Sequence, residues 1–321
     1  MPTSLLQVQV SPSNDERELR AMRARRLVRT VAWSGAALTL CVLVLAAAMR
    51  LQAAGLGCEP WPTCYGAGIV RVVEPPAWTR LAHRVAAMLV ALCAVTVAVL
   101  CFSARGGPRL PKIRPLVVVG GVAALAGLGR FSGPTAPSAI ALANLLLGLT
   151  VTLAFASLAT SPQPGRRLST ADRFTAVALA ATVVLGGVAS TYRLAAGCTG
   201  LLGCTADAPT AAALGWIVGS HRIVGVAAVL WTCAWAAASY RRGAARGWVL
   251  VLIASCLAAA AFGFVQAAGI AALPAALMHH ALGGVALVAA VACTVRKDPP
   301  RWAAAVEQRQ RTRTHRGRSL P

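Results

Sequence analysis

The chain has few charged side chains, and acidic ones are especially scarce. Only 12% of its 321 residues are charged and 57% are hydrophobic, with 31 basic residues against nine acidic ones. Soluble domains carry about a quarter of their residues as charged side chains, so a water-soluble globular fold is excluded. The first 28 residues are polar and basic without an apolar core, so they do not resemble a signal peptide. The composition is that of a membrane protein.

Long apolar runs recur along the whole chain. An apolar helix crosses the roughly 30 Å of hydrocarbon at about 1.5 Å per residue, and eight runs are long enough. They lie at about 30–49, 79–102, 115–132, 137–160, 174–192, 211–238, 247–270 and 273–295, of which the third and the fifth are the shortest. None has the Gly/Pro interruption typical of transporter substrate sites, so a solute transporter is not favoured. We predict an all-α polytopic membrane protein with eight transmembrane helices.

The basic residues are concentrated on one side of the predicted bundle. The two termini and the loops after every second span carry 24 Lys and Arg residues, against four in the other loops. By the positive-inside rule, both termini then face the cytoplasm, as in a multi-pass protein of a bacterial-type inner membrane. This distribution argues against nucleic acid as the partner of the net charge of +22. We assign the basic tail to anionic lipid instead.

Two cysteines followed by a His-Arg pair occur twice. The first copy is Cys58, Cys64 and His83-Arg84, and the second is Cys198, Cys204 and His221-Arg222. Each His-Arg pair lies early in the apolar span that follows its cysteines. When the last spans of the two halves are aligned, Asn144 takes the position that corresponds to His279. The repeat predicts two four-helix bundles related by a pseudo-twofold axis along the membrane normal.

This repeat divides the chain into five segments. They are a cytoplasmic basic arm (1–28), an amino-terminal four-helix half (29–160), a cytoplasmic linker (161–173), a carboxy-terminal four-helix half (174–296) and a cytoplasmic basic tail (297–321). The linker is rich in Ser, Pro and Gly, as expected of a connection between two units.

The four loop cysteines lie on the side opposite the cytoplasm. Because that side is oxidising, disulfides are predicted between Cys58 and Cys64 and between Cys198 and Cys204. A redox or substrate-handling role for Cys58 and Cys64 is the alternative.

Histidines are the side chains within the apolar spans best suited to ligate a metal. His221 and His279 fall in the second and fourth helices of the same half, so they can face each other across it. Two facing imidazoles are a common way to hold a b-type haem. His280 is the adjacent alternative ligand, and only one of two successive helix positions can face the same point; the register with Asn144 favours His279. The alternative for each histidine is a polar packing contact between helices.

One segment resembles a known family. Arg50–Gly66, RLQAAGLGCEPWPTCYG, is similar to the first outer loop of the haem A synthases, whose pattern is R-L-x-x-x-G-L-x-C-x-x-W-P-x-C-x-G. The eight-helix layout, the second cysteine loop, the two His-Arg helix starts and the terminal histidine-bearing helix fit the same family. The resemblance covers roughly residues 30–296.

The resemblance implies an activity and its cofactor. Haem A synthases are oxidoreductases that convert a methyl group of haem o to the formyl group of haem A for terminal oxidases. By resemblance, haem b is the cofactor between His221 and His279, and the substrate haem o lies near His83. The implied partners are a haem o synthase and a membrane electron donor. The oligomeric state is left open, a homo-oligomer included.

Two residues of the first half depart from the family pattern. The family commonly has a second histidine where this chain has Asn144, and a glutamate where it has Arg80. Unlike a carboxylate, an arginine cannot accept a proton at accessible pH. A catalytically degenerate haem b-binding protein, acting in electron transfer or oxidase assembly, is therefore the alternative function.

Three arginines lie beside the candidate haem sites. Arg84 and Arg222 are expected either to bind haem propionates or to extend to the lipid headgroups. Arg80 is expected either to hold a propionate or to mark a site that has lost its chemistry.

Overall fold

The computed structural model describes residues 14–53, 77–103, 113–131, 138–160, 168–191, 209–241, 243–268 and 272–295. This part of the chain forms eight α-helices. They are α1 (Asn14–Ala53), α2 (Ala77–Ser103), α3 (Ile113–Gly129), α4 (Ser138–Thr160), α5 (Thr170–Thr191), α6 (Pro209–Arg241), α7 (Arg246–Ala267) and α8 (Ala272–Val295).

Seven of these helices are long and apolar enough to span a membrane. The exception is α3, whose 17 residues extend only about 25 Å at the α-helical rise. The prediction of an all-helical, multi-pass membrane protein is confirmed, and each predicted span coincides with one helix. The largest difference in boundary is at α1, which begins at Asn14 because the Glu, Arg, Leu and Ala residues before the span are good helix formers. Part of the predicted basic arm therefore belongs to α1.

The helices pack in two similar cycles. In the first, α1 contacts α2, α2 contacts α3, α3 contacts α4, and α4 returns to α1. The same order recurs from α5 through α8. Contacts between the two sets join α1 to α8, α4 to α5 and α4 to α8.

Each set of four helices has its own apolar cluster. Val97, Val118 and Phe155 are fully buried in the first, and Leu252 and Ala289 are fully buried in the second. Lipid offers no hydrophobic driving force between helices, so close approach at small residues stabilises the packing instead. A Cβ atom added at Gly121, Gly187 or Gly284 would lie within 2.7 Å of a side chain of another helix. These glycines serve close helix packing.

The start of α5 is fixed against α6 by a buried carboxylate. The backbone N–H of Ser169 donates to Asp172 Oδ2 at 2.9 Å, and the backbone N–H of Asp172 donates to Ser169 Oγ at 3.1 Å. This reciprocal pair is a capping box. The indole Nε1–H of Trp235 donates to Asp172 Oδ1 at 3.0 Å. The register of α6 against α5, and hence the position of His221, follows in part from this contact.

Candidate functional site

The histidines lie at the end of the bundle that adjoins residues 54–76 and 192–208. There α1 and α5 finish, and α6 and α8 begin. Contacts across this end join the helices: Arg50 of α1 donates to Ser190 of α5, and Leu51 of α1 packs with Ala276 of α8. We call it the Cys-loop end, because the adjoining segments 54–76 and 192–208 hold the paired cysteines.

His221 of α6 and His279 of α8 contact each other at this end. Their ring centroids are 5.9 Å apart and the ring planes are perpendicular. Both side chains are half-buried. The sequence predicted that these two histidines face each other across the second half, and the contact confirms that juxtaposition.

Backbone hydrogen bonds fix the tautomer of both rings. His221 Nδ1 lies 3.0 Å from the carbonyl oxygen of Thr182 on α5, and His279 Nδ1 lies 2.7 Å from that of Ala259 on α7. A carbonyl oxygen only accepts, so in the neutral ring the proton is on Nδ1 and the lone pair on Nε2. A hydrogen bond of this kind is typical of metal-ligating histidines and orients the ring. Both imidazoles therefore offer Nε2 as a metal ligand.

Two glycines make room for these rings. A Cβ atom at Gly186 on α5 would lie 2.6 Å from His221 Cε1, and one at Gly263 on α7 would lie 3.0 Å from His279 Nδ1. Any side chain at Gly186 would displace the His221 ring. The sequence analysis gave neither glycine a role beside the histidines. A single sequence carries no signal that distinguishes these glycines from the others in the apolar helices.

His280 lies beside the pair but not in it. Its Nδ1 lies 2.7 Å from the carbonyl oxygen of Ala276, one turn earlier on α8. Its ring centroid is 5.9 Å from that of His279, with an angle of 81° between the planes. The ring that contacts His221 is that of His279, which agrees with the register inferred from Asn144.

The pair alone does not complete a site for a bare metal ion. Within the described ranges, no group of three or more His, Cys, Asp or Glu side chains is arranged to hold an ion. A bare divalent cation usually needs four or more ligands, whereas iron in a porphyrin needs only axial ligands from the protein. The donor set fits haem iron and does not fit a bare ion.

The first half holds one histidine and no matching pair. His83 of α2 is half-buried and makes no side-chain hydrogen bond to the described residues, while Arg80 and Arg84 are exposed. Thr79, one turn before His83 on α2, is fully buried and its Oγ1 has no hydrogen-bond partner among the described residues. Asn144 of α4 is half-buried.

The arginines are placed differently from one another. Arg84 is exposed and Arg222 is half-buried directly after His221. Arg50 was counted from the sequence only as a loop cation. It lies in the last turn of α1 and its Nη2 donates to Ser190 Oγ at 3.2 Å. Its place in the R-L pattern was the available signal, but the pattern does not reveal which helix the guanidinium contacts.

The predicted disulfides Cys58–Cys64 and Cys198–Cys204 lie outside the described residues. The cysteines within the described ranges are all free thiols.

The fold and the pair together define a class: multi-pass helical membrane proteins in which two half-buried histidines of the second helix set contact each other. Comparison with protein-family profiles and with curated proteins gives no match.

Proposed function

We propose that this protein is a haem A synthase-like oxidoreductase that holds haem b between His221 and His279. The observation that supports the proposal best is the histidine pair with both Nδ1 protons donated to backbone carbonyls. The ring centroids are 5.9 Å apart, and a metal-bound imidazole nitrogen lies about 2 Å from its ion. Both rings would therefore be close enough to hold the iron of haem b through Nε2.

The residues around the histidine pair have distinct roles in this proposal. His221 and His279 hold the haem b iron through Nε2, and Thr182 and Ala259 orient the rings through their carbonyl oxygens. Gly186 and Gly263 leave the space in which the rings lie. The haem b would supply one-electron transfer within the membrane.

The first half would bind the substrate haem o. His83 is the proposed ligand to its iron, and the buried Oγ1 of Thr79 is a hydrogen-bonding group one turn away. Written with dioxygen as oxidant, each round inserts one oxygen atom into a methyl C–H bond. Each round also takes two electrons and two protons from the membrane electron donor, and the other oxygen atom leaves as water. Two rounds give a gem-diol, which loses water to become the formyl group of haem A.

The packing of the helices supports two related halves. The cycle α1-α2-α3-α4 recurs as α5-α6-α7-α8, and exchanging the halves turns the α1–α8 contact into the α4–α5 contact. We infer a pseudo-twofold axis along the membrane normal that passes near α4 and α8. The positive-inside distribution of Lys and Arg then places both termini in the cytoplasm and the Cys-loop end on the opposite side.

A second candidate function is a non-catalytic haem b protein in electron transfer or oxidase assembly. Arg80 favours it, because this residue replaces the carboxylate common in the resembled family and is exposed on α2. Asn144 favours it too, because its amide cannot replace an imidazole as a good iron ligand.

The experiment that tests the proposal is an inventory of bound haems. The protein is co-expressed with a haem o synthase and purified, and its haems are extracted, separated by chromatography and counted. We expect haem b at about one per chain together with haem A or its hydroxylated intermediate, since the proposal assigns one haem b to the His221–His279 pair. Haem b alone supports the second candidate, and no haem at all contradicts both.

The variant Arg80→Glu separates the two candidates further. If the wild-type chain is catalytic, it produces haem A and the substitution is not required for activity. A chain that makes haem A only after Arg80→Glu would show that the native site is degenerate, because a restored carboxylate accepts protons whereas arginine does not. Arg84→Glu, at an equally exposed position of α2, is the matched charge control. The measurement is the ratio of haem A to haem o in extracts.

Gly186→Ala is expected to weaken haem b binding by about tenfold or more, the loss typical when the orientation of a metal ligand is disturbed. The added Cβ would lie 2.6 Å from His221 Cε1 and would push the ring away. Gly219→Ala is the control, because a Cβ there meets nothing within 4 Å. Haem titration followed by absorbance measures both affinities. Equal affinities for the two variants would show that Gly186 does not position His221.

A further inference from the structure

Arg50 is a cation of α1 that is only partly exposed to solvent. It is half-buried in the last turn of α1, and its Nε is shielded from solvent and makes no hydrogen bond among the described residues. Its Nη2 donates to the neutral hydroxyl of Ser190 at 3.2 Å. Charged groups within membrane proteins are costly and usually paired. A hydroxyl accepts one of the five guanidinium N–H groups but does not balance the charge.

The acidic residues of the described ranges lie too far away to balance it. Three of them, Asp15, Glu16 and Glu18, are at the opposite end of α1. The remaining one is Asp172, at the start of α5, whereas Ser190 is near its end. They are 18 positions apart, which corresponds to about 27 Å of helix. The negative group that Arg50 requires therefore comes from elsewhere.

Arg50 lies close to the histidine pair on two sides. On α5, Ser190 is one turn from Gly186, the glycine against which the His221 ring packs. On α8, Ala276 packs against Leu51, the residue after Arg50. The carbonyl oxygen of Ala276 accepts from His280 Nδ1, and the His280 ring contacts that of His279. A ligand held by the pair and extending by about one helical turn, some 5 Å, toward the Cys-loop end would reach the guanidinium.

We propose that Arg50, with Ser190, forms a subsite for a carboxylate of the molecule bound at the histidine pair. This inference rests on the proposed function, under which that carboxylate is a haem b propionate. A guanidinium binds a carboxylate through two parallel charge-assisted hydrogen bonds, and the shielded Nε is one of the donors available for them. Of the two arginines that the sequence suggested for this task, Arg84 is exposed on α2 and Arg222 is half-buried directly after His221 on α6.

The test compares two ligands that differ only at the carboxylates. Apo-protein in detergent is titrated with haem b and with its dimethyl ester, and binding is followed by the Soret absorbance. The wild-type protein is expected to prefer the free acid by about tenfold or more, the ratio expected for one hydrogen bond to a charged group. Arg50→Gln is expected to lose that preference by binding the acid more weakly and the ester unchanged. Arg50→Lys is expected to keep part of it.

Arg130→Gln is the matched control, because Arg130 is exposed just after the end of α3; it should keep the wild-type preference. An unchanged ester affinity shows that the Arg50→Gln protein is folded around the pair. The inference is overturned if Arg50→Gln still prefers the acid, or if the wild-type protein binds both ligands equally. The second result would assign Arg50 to a carboxylate of the chain itself, and Glu59→Gln, Glu74→Gln and Asp207→Asn would identify it. Failure of the wild-type protein to bind either ligand, or binding that survives His221→Ala, contradicts the proposed function instead.

Discussion

His221→Ala and His279→Ala are each expected to lower the affinity for haem b by at least about tenfold. Disturbing even the outer partners of a metal ligand commonly lowers metal affinity by about 10–100-fold. Each variant removes one imidazole of the pair whose ring centroids are 5.9 Å apart. The measurement is the haem-to-protein ratio after purification, with the absorption spectrum of the remaining haem.

The matched control is His280→Ala. His280 is on the same helix, with its ring in contact with His279 and its Nδ1 directed to a carbonyl, so its removal disturbs the local packing to a similar extent. It is expected to keep its haem b. A protein that loses haem with His280→Ala and keeps it with His279→Ala would transfer the ligand role to His280.

A second pair of variants separates ligation from folding. His221→Gly and His279→Gly each open a space of the size of an imidazole beside an existing glycine, Gly186 or Gly263. Imidazole supplied in solution is expected to restore haem binding to these variants, because the missing function is one nitrogen lone pair. Haem loss that imidazole does not reverse, in a protein that melts at the wild-type temperature, would contradict direct ligation.

The membrane spans could be predicted because the bilayer imposes a length and a composition that each span must meet. The third predicted span falls on α3, whose 17 residues leave it outside the seven helices of the described chain that are long enough to cross a membrane. Helix boundaries outside the apolar runs were less accessible. The early start of α1 depends on helix propensity in a polar segment, to which hydropathy is insensitive.

The proximity of His221 and His279 could be predicted, because the repeat and the number of helices place both near the same end of one half. The surroundings of the two rings could not be predicted. These helices are apolar all round, so periodicity gives little indication of which face meets which neighbour. The carbonyls of Thr182 and Ala259 and the spaces at Gly186 and Gly263 arise only when α5 and α7 take their final register. The contact between Arg50 and Ser190 joins positions 140 residues apart, and no local pattern specifies it.

His83→Ala is expected to abolish haem A formation while leaving haem b content unchanged. The two outcomes separate because the histidines belong to different sets of helices: His83 lies on α2, which packs in the first cycle, and the His221–His279 pair joins α6 and α8 of the second. Removal of His83 takes away the proposed ligand of the substrate and touches neither ring of the pair. The measurement is the haem inventory of the variant co-expressed with a haem o synthase, with haem o expected in place of haem A.

Thr79→Val is expected to have a smaller effect than His83→Ala in the same measurement. It keeps the volume of a fully buried side chain and removes only the Oγ1 that lacks a partner among the described residues. Since that hydroxyl makes no hydrogen bond in the described structure, its removal should not destabilise the fold, whereas a lost contact to bound haem o would lower the yield of haem A in part.

A His83→Ala protein that loses haem b as well would show that the two halves do not bind their haems separately. The assignment of the substrate to the first half would then be wrong.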